Sequence, residues 1–214
     1  MLGKRLITAL WGIPLVIAAV WFSGPEYDFP GFTVLAAVAG VLGVLEFYRM
    51  VGIFRVLPLV ITGVISTVFF IIYPHLSLDF DISLISLVLI VLVAFSLILM
   101  VFLPKRERPL RLWAWTLTGI LYTGWLISYL VALRLEGGRN WVFLVLFATF
   151  GSDTAAYFIG KAIGRHKMAP SISPGKTWEG AAAGLLGAVI VGYLFTLSTP
   201  LQLPVNIAHA VILG

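Results

Sequence analysis

Residues 82–103 read ISLISLVLIVLVAFSLILMVFL and contain no charged side chain. About 20 apolar residues form a helix long enough to cross the hydrocarbon core of a bilayer, so this run predicts a membrane-spanning helix. Comparable runs occur along the whole chain, at 6–22, 32–47, 56–73, 112–133, 141–160 and 178–197, and an eighth begins near Leu203 and ends with the sequence at Gly214. We therefore predict an all-α fold, a polytopic integral membrane helical bundle with about seven full spans and a truncated eighth.

The composition excludes a soluble globular protein. Of the 214 residues, 61% are hydrophobic and 11% are charged, and the mean hydropathy is +1.08. Ordinary soluble domains have about 25% charged residues, so too few polar side chains remain here to cover a surface that faces water. The sequence has no cysteine, which excludes disulfides, thiolate metal sites and a cysteine nucleophile.

The basic residues are divided unequally between the two sets of loops that these spans would create. Of the 14 lysines and arginines, all but Arg134 and Arg139 fall on one side. Cytoplasmic loops of membrane proteins carry an excess of Lys and Arg, so the pattern predicts a cytoplasmic N-terminus. It also argues against nucleic-acid binding, despite the net charge of +5, because the basic residues are spread over several short loops.

The span at 141–160 differs from the others because it carries a carboxylate, Asp153. A charge at membrane depth costs about 2.5–3.5 kcal/mol on insertion scales and normally faces a cavity, a cation or a partner. Asp153, Tyr157 and Lys161 are four residues apart and would share one helix face, and the neighbouring Ser152 has a hydroxyl that can line a polar cavity. Asp153 therefore belongs either to a structural ion pair between two helices or to the wall of a polar pocket open to the cytosol. Both interpretations place it in the protein interior.

The loop after this span combines positive charge with a turn motif. Lys161, Arg165, Lys167 and Lys176 cluster at the expected cytoplasmic end. The sequence SISPGKT at 171–177 predicts a turn, and a helix starting after it would present free backbone N–H groups to the loop. Positive side chains beside such a helix start favour the binding of phosphate.

The residues around this helix start refine the hypothesis. Lys176 and Thr177 would form the phosphate cradle, and Glu179, expected one turn from Lys176 on the same helix, would orient that lysine or face a cation. The sequence GKT at 175–177 matches the end of a Walker A loop. That motif also requires glycine at the position of Pro170, so a Walker A loop is excluded. Glycines four residues apart predict close packing of the two flanking helices: Gly160 with Gly164, and Gly180 with Gly184.

The stretch GSDTAAYFIGKAIGRHKMAPSISPGKTWEG at 151–180 resembles the core of the phosphatidate cytidylyltransferases (CDP-diacylglycerol synthases), which are multi-span membrane enzymes. The family pattern is D-T-x-A-Y-x-x-G-x-x-x-G-x-x-K followed by S-P-x-K-T-x-E-G. It falls here on Asp153, Thr154, Ala156, Tyr157, Gly160, Gly164 and Lys167, and then on Ser173, Pro174, Lys176, Thr177, Glu179 and Gly180. The resemblance implies a membrane nucleotidyltransferase of phospholipid biosynthesis that converts CTP and phosphatidate to CDP-diacylglycerol and pyrophosphate.

The resemblance also implies cofactors, location and roles for individual residues. It implies Mg²⁺, with a monovalent cation such as K⁺ as a further ion, and a multi-pass protein of the inner (cytoplasmic) membrane whose active site faces the cytoplasm. The partners would be CTP, phosphatidate and the lipid bilayer, with a homodimer left open. We assign catalytic roles to Asp153, Lys167, Lys176 and Glu179, with Asp153 also a candidate metal ligand. Substrate-binding roles go to Ser152, Tyr157, Lys161, Arg165, Ser173 and Thr177.

One part of the family pattern is absent from the sequence. Members carry a C-terminal signature that includes Pro-Gly-His-Gly-Gly and Asp-Arg-x-Asp, whose carboxylates are the principal metal ligands, and nothing like it occurs here. We therefore expect those ligands beyond Gly214 and a C-terminally truncated chain that is inactive alone. We treat 1–214 as a single transmembrane domain, with N-terminal helices at 1–135 and a partial catalytic segment at 141–197.

Three other functions stay open at this point. A CTP-dependent lipid kinase of related architecture would use the same nucleotide and release CDP. An ion-coupled transporter would bind its ion at Asp153, but it predicts inverted repeats, and we find none in the sequence. A purely structural membrane subunit would leave the SPGKT turn beside a carboxylate unexplained.

Overall fold

The computed structural model describes residues 2–23, 30–76, 82–102, 109–197 and 200–213. The chain divides into two compact units, residues 1–136 and 137–214. The described part of the first unit is helical, with α1 (Leu2–Trp21), α2 (Gly31–Met50), α3 (Leu57–Leu76), α4 (Ile82–Phe102), α5 (Pro109–Gly119) and α6 (Leu126–Ala132). A short 3₁₀ turn (Ile53–Arg55) precedes α3, and the π-helical turns Ile120–Trp125 and Leu133–Gly137 flank α6.

The second unit is built from two long helices joined by a β-hairpin. Helix α7 (Arg139–Ile163) leads into strands β1 (Lys167–Ala169) and β2 (Ser173–Thr177), and α8 (Trp178–Leu194) and α9 (Ile207–Leu213) follow. The hairpin is an element that the all-α prediction lacks. It was missed because Pro174 and Gly175, inside β2, are residues that normally disfavour a strand.

Among the described residues, four helical segments are long and apolar enough to cross a membrane: Gly31–Met50, Leu57–His75, Pro109–Gly137 and Arg139–Ile163. Three apolar helical segments in the described part are shorter: Leu10–Trp21, Leu87–Val101 and Trp178–Leu194. The chain is therefore a predominantly helical protein with several apolar helices of the kind that membrane proteins contain. The predicted helix at 112–133 is longer than expected, because π-helical turns continue it to Gly137.

A fully buried tyrosine lies in one hydrophobic cluster of the first unit. The side chain of Tyr48 on α2 is fully buried, and its hydroxyl donates a hydrogen bond to the carbonyl oxygen of Thr116 at 2.8 Å. A buried phenol needs such a partner, since its burial otherwise costs free energy. Gly63 on α3 and Gly119 on α5 leave room for the ring, because a Cβ atom at either position would collide with it.

The first unit also contains a buried cation, Arg134, which is only 2% exposed. Its Nε donates to the carbonyl oxygen of Val20 at 3.0 Å, and its guanidinium also donates to the carbonyl oxygen of Ser23. These carbonyls lie at and just beyond the C-terminal end of α1, where helix carbonyls lack intrahelical partners and positive charge is favourable. Arg134 therefore caps α1, whereas the sequence placed it in a loop.

In the second unit, α7 and α8 lie in close antiparallel contact. A Cβ atom at Gly180 would lie 2.9 Å from the carbonyl oxygen of Ala156, and one at Gly187 would lie 2.9 Å from that of Gly151. A Cβ atom at Gly160 would lie 3.3 Å from the Cα of Gly180. The predicted close packing of the two helices through glycine is confirmed, and backbone atoms themselves form much of the contact.

This packing predicts that a large side chain at Gly187 destabilises the second unit. Gly187→Leu should lower the free energy of unfolding by about 1–3 kcal/mol, the usual cost of overpacking, because the backbone oxygen of Gly151 cannot rotate away. Gly12→Leu is the matched control, since a Cβ atom at this helical glycine meets nothing within 4 Å. It should be neutral or slightly stabilising. Thermal unfolding in detergent micelles, followed by circular dichroism, measures both, and equal midpoints for the two variants would contradict the described contact.

Candidate functional site

The hairpin between α7 and α8 carries most of the candidate site residues. Its strands are antiparallel, with Lys167 opposite Thr177 and Ala169 opposite Ser173. Consecutive residues of a strand point to opposite faces, so Lys176 points away from the face on which the buried Thr177 lies. Lys176 belongs to β2 and not to α8, and the expectation that it shares a helix with Glu179 is therefore wrong.

Thr177 joins the hairpin to α8. It is 4% exposed, and its Oγ1 accepts a hydrogen bond from the backbone N–H of Gly180 at 3.1 Å. This is the geometry of a helix N-cap. Its side chain lies close to Gly160 and Gly164 of the α7 segment, where a Cβ atom would approach Oγ1 to 3.1 Å and 2.6 Å respectively. The hydroxyl that the sequence assigned to a substrate has a structural partner, and its substrate role stays a prediction.

Glu179 in the first turn of α8 binds His166 and is not in contact with Lys176 in the described contacts. The backbone N–H of His166 lies 3.2 Å and 3.3 Å from the two carboxylate oxygens of Glu179. The ring Nδ1 of His166 lies 2.7 Å from Oε1, a distance at which a protonated Nδ1 donates. The carbonyl oxygen of His166 accepts from the N–H of Trp178 at 3.0 Å.

These donors stabilise the ionised form of Glu179, which lies at the loop end of α8. The backbone N–H of Glu179 itself and the ring of His166 are the main causes, and together with the backbone of Arg165 and His166 they lower the pKa of Glu179 from 4.5 to about 2. The carboxylate is therefore charged at neutral pH. Its contribution to stability is present above about pH 4.5 and is lost as the pH falls through about 2.

The first N–H groups of α8 are thus occupied by the chain itself. The N–H of Trp178 binds the carbonyl of His166, and that of Gly180 binds Thr177. The expectation that this helix start offers free N–H groups to an anion is wrong for these two positions. An anion at the hairpin would have to be bound chiefly by side chains.

The four basic residues of the cluster are available for that role. Lys161, Arg165, Lys167 and Lys176 are all exposed. Within the described ranges, Glu179 is in contact with His166, and no carboxylate there forms an ion pair with any of the four basic residues. The Nζ of Lys161 lies over the ring of Tyr157, 5.7 Å from its centroid, a cation–π distance. Positive charge is therefore concentrated at the end of α7, and none of these four side chains forms an ion pair in the described part of the chain.

The predicted residues on α7 fall on two different faces. Ser152 faces α8, where a Cβ atom at Gly184 would lie 3.1 Å from its Oγ. Asp153 and Tyr157 are exposed, and Lys161 continues their face. The expected interior position of Asp153 is not found in the described part of the chain, where its side chain is exposed and pairs with no basic residue. Ser173 is half-buried in β2 opposite Ala169.

His166 is the residue of this region that sequence reasoning missed. The sequence analysis assigns no role to His166, yet this residue makes both backbone and ring contacts to Glu179. The partnership depends on the register of the hairpin, which brings position 166 opposite the start of α8. A histidine and a glutamate 13 residues apart in sequence give no signal without that register.

Comparison of the sequence with known proteins shows its family. Residues 3–214 match the cytidylyltransferase family. The chain belongs to the cytidylyltransferase family. It is similar to the phosphatidate cytidylyltransferases of Haemophilus influenzae (27% identical; 91% of this chain and 73% of that one) and Chlamydia pneumoniae (31%; 78% and 58%). It is also similar to that of Bacillus subtilis (34%; 39% and 32%).

The alignments cover only part of the length of some relatives. Alignments with the Bacillus subtilis and Chlamydia pneumoniae relatives cover 32% and 58% of those proteins. The chain thus spans about a third to somewhat more than half of these two relatives. The resemblance noticed from residues 151–180 is confirmed at the level of the family.

The described residues of this cytidylyltransferase-family chain do not form a metal centre. Among them, no group of three or more His, Cys, Asp or Glu side chains lies close enough to hold an ion. Mg²⁺ in nucleotide sites needs few protein ligands, typically one or two carboxylates together with phosphates and waters. Of the two candidate carboxylates, Glu179 is in contact with His166, whereas Asp153 has no ion-pair partner among the described residues.

The cap at Thr177 gives a prediction that separates a structural from a substrate-binding hydroxyl. Thr177→Ala should lower the free energy of unfolding by about 1 kcal/mol, the usual cost of losing an N-cap. Thr177→Ser keeps the oxygen that accepts from Gly180 and should retain most of that stability. Thermal unfolding of the three proteins measures the effect, and an alanine variant as stable as the serine variant would contradict the cap.

Proposed function

We propose that this chain is the nucleotide-phosphate-binding part of a CTP:phosphatidate cytidylyltransferase. The observation that carries the proposal is the basic cluster at the end of α7 and in the hairpin. Its members Lys161, Arg165, Lys167 and Lys176 are exposed and form no ion pair with a described carboxylate. Such a cluster favours a polyanionic ligand. Membership of the cytidylyltransferase family supports a cytidine nucleotide as that ligand, and the names of the relatives support phosphatidate as the second substrate.

The chemistry requires charge compensation more than covalent participation by the protein. A phosphate oxygen of phosphatidate attacks the α-phosphorus of CTP. The bond from that phosphorus to the oxygen bridging to the β-phosphate breaks, and pyrophosphate leaves with the electron pair, which gives CDP-diacylglycerol. Negative charge builds up on the departing pyrophosphate, so preorganised cations stabilise the transition state.

The proposed roles follow the positions of the side chains. Lys167 and Lys176, on the two strands of the hairpin, bind phosphates, and Arg165 assists at the mouth of the site. Lys161, held over Tyr157, extends the positive surface along α7. Ser173 and Thr177 are proposed hydrogen-bond donors to substrate.

Metal ions are also part of the proposed function. Mg²⁺, with a monovalent cation such as K⁺, would enter with the nucleotide and offset charge on the triphosphate. Asp153 is the described carboxylate left to contact or orient such an ion or a lysine. No further ligand is proposed from the described residues.

The membrane arrangement is also part of the proposal. Seven full spans and an eighth, a cytoplasmic N-terminus and a location in the inner membrane are supported by the apolar runs and by the positive-inside pattern. In this arrangement the hairpin faces the cytosol at the membrane surface. Water-soluble CTP and membrane-bound phosphatidate could then both reach it.

Replacing Lys176 tests the proposal. In the complete gene product, Lys176→Ala should lower kcat/KM for CTP by about tenfold to a hundredfold, since a charge-assisted contact is worth about 1.5–3 kcal/mol. Asp153→Asn should also lower turnover. The control is Arg55→Ala, which removes an exposed cation from the first unit and should leave activity within about twofold, the scale of surface substitutions. Incorporation of radiolabelled CTP into lipid is the measurement.

Product analysis separates this reaction from its nearest competitor. Pyrophosphate in equal amount to the labelled lipid supports cytidylyl transfer, whereas release of CDP would show a lipid kinase. Near-normal turnover of both Lys176→Ala and Asp153→Asn would remove these residues from the site.

A further inference from the structure

His166 is held by Glu179 from two directions. The backbone N–H of His166 donates to the carboxylate at 3.2 Å and 3.3 Å, and its ring Nδ1 lies 2.7 Å from Oε1. The N–H of Trp178 donates to the His166 carbonyl at 3.0 Å. One residue at the base of the hairpin is thus fixed to the first turn of α8 through its N–H, its carbonyl and its ring.

This clamp lies next to both proposed phosphate-binding lysines. Lys167 directly follows His166 and lies opposite Thr177 in the hairpin, and Lys176 directly precedes Thr177. A lysine side chain is long and flexible, with about 2 kcal/mol of rotamer entropy. The fold can therefore fix only the backbone position from which each lysine side chain extends. The His166–Glu179 clamp fixes that backbone position on both strands.

The clamp also determines which charges stay available. Glu179 is ionised and close to a cluster of cations, so it could neutralise one of them. Its ion-pair contact in the described structure is to His166, which is 81% exposed on its side chain, while the Glu179 side chain is 24% exposed. Glu179 is occupied in this way, and Lys167 and Lys176 form no ion pair with a carboxylate in the described part of the chain.

We propose that His166 is a positioning residue of the phosphate site, which acts by holding Glu179 so that the hairpin is fixed and its lysines stay unpaired. The inference rests on the proposed function and adds to it a residue that does not itself contact substrate. In the absence of the ring, Glu179 retains the backbone contact but can turn toward a lysine. Affinity for phosphate groups then falls although no phosphate ligand has been removed.

The variants are chosen to isolate the ring contact. His166→Ala removes it, while His166→Asn supplies a side-chain N–H donor at about the position of Nδ1. His209→Ala is the control, because His209 is an exposed histidine of the same unit whose backbone N–H, and not its ring, bonds to Asn206. Binding of CTP and of inorganic tripolyphosphate is measured by isothermal titration calorimetry on the purified chain in detergent.

We expect His166→Ala to weaken binding of both probes by about tenfold, the effect of one charge-assisted contact, and His166→Asn to restore it to within about threefold. His209→Ala should bind as the wild type does. In the complete gene product, His166→Ala should raise KM for CTP with kcat within about twofold. In a double-mutant cycle, adding His166→Ala to Lys176→Ala should cost less than adding it to the wild type, because residues that act through one another are not additive.

The outcomes distinguish this inference from the proposed function. Wild-type binding of CTP together with unchanged affinity in His166→Ala overturns the positioning role alone. Additive effects in the cycle, or failure of asparagine to restore affinity in a variant that melts like the wild type, also overturn it. Absence of CTP and tripolyphosphate binding by the wild type contradicts both proposals. Hydrogen exchange at the amides of residues 166 and 178 shows separately whether the clamp holds the hairpin in each variant.

Discussion

The close contact between α7 and α8 is the constraint on which the candidate site depends. Gly180 packs against the carbonyl of Ala156 at a distance that leaves no room for a side chain, so the helix ends are near enough for a short hairpin to join them. Thr177 then lies against Gly160 and can cap α8. Without glycine at these positions the helices would separate, and the hairpin could not remain bonded to α8 while it follows α7.

The start of α8 indicates which groups of the chain are left to bind an anion, the backbone N–H groups or the side chains. A helix N-terminus attracts anions through its free N–H groups and its dipole. Here the anion nearest to it is the carboxylate of Glu179, and the N–H groups of Trp178 and Gly180 have partners within the chain. A phosphate at the hairpin would therefore depend on lysine and arginine side chains, whose long stems can follow a ligand that moves or changes charge during the reaction.

Hydrophobic runs and the spacing of small residues predicted the helices and their packing. The features that were missed depend on the pairing of the two hairpin strands, which the sequence does not reveal. The run at 82–103 became α4, and the glycine pairs packed as expected. Pro174 and Gly175 concealed a strand, because local propensity opposes it and pairing with β1 overrides that propensity. The contact between His166 and Glu179 follows from that pairing, and no spacing rule reports it. Family motifs indicate this segment as the candidate site but do not assign the partner of each side chain.

The exposed face of α7 sets a physical requirement on the complete site. Helix α7 is long and apolar enough to cross a bilayer, yet Asp153 and Tyr157 are exposed on the face that ends at Lys161. Against acyl chains, an ionised Asp153 would cost about 2.5–3.5 kcal/mol, while Ser152 on the α8 side is already packed. A polar neighbour must therefore cover this face, whether protein, water or ligand. In the function proposed above, a nucleotide triphosphate with its cations would cover this face, with the cations at the carboxylate and the phosphates at the lysines.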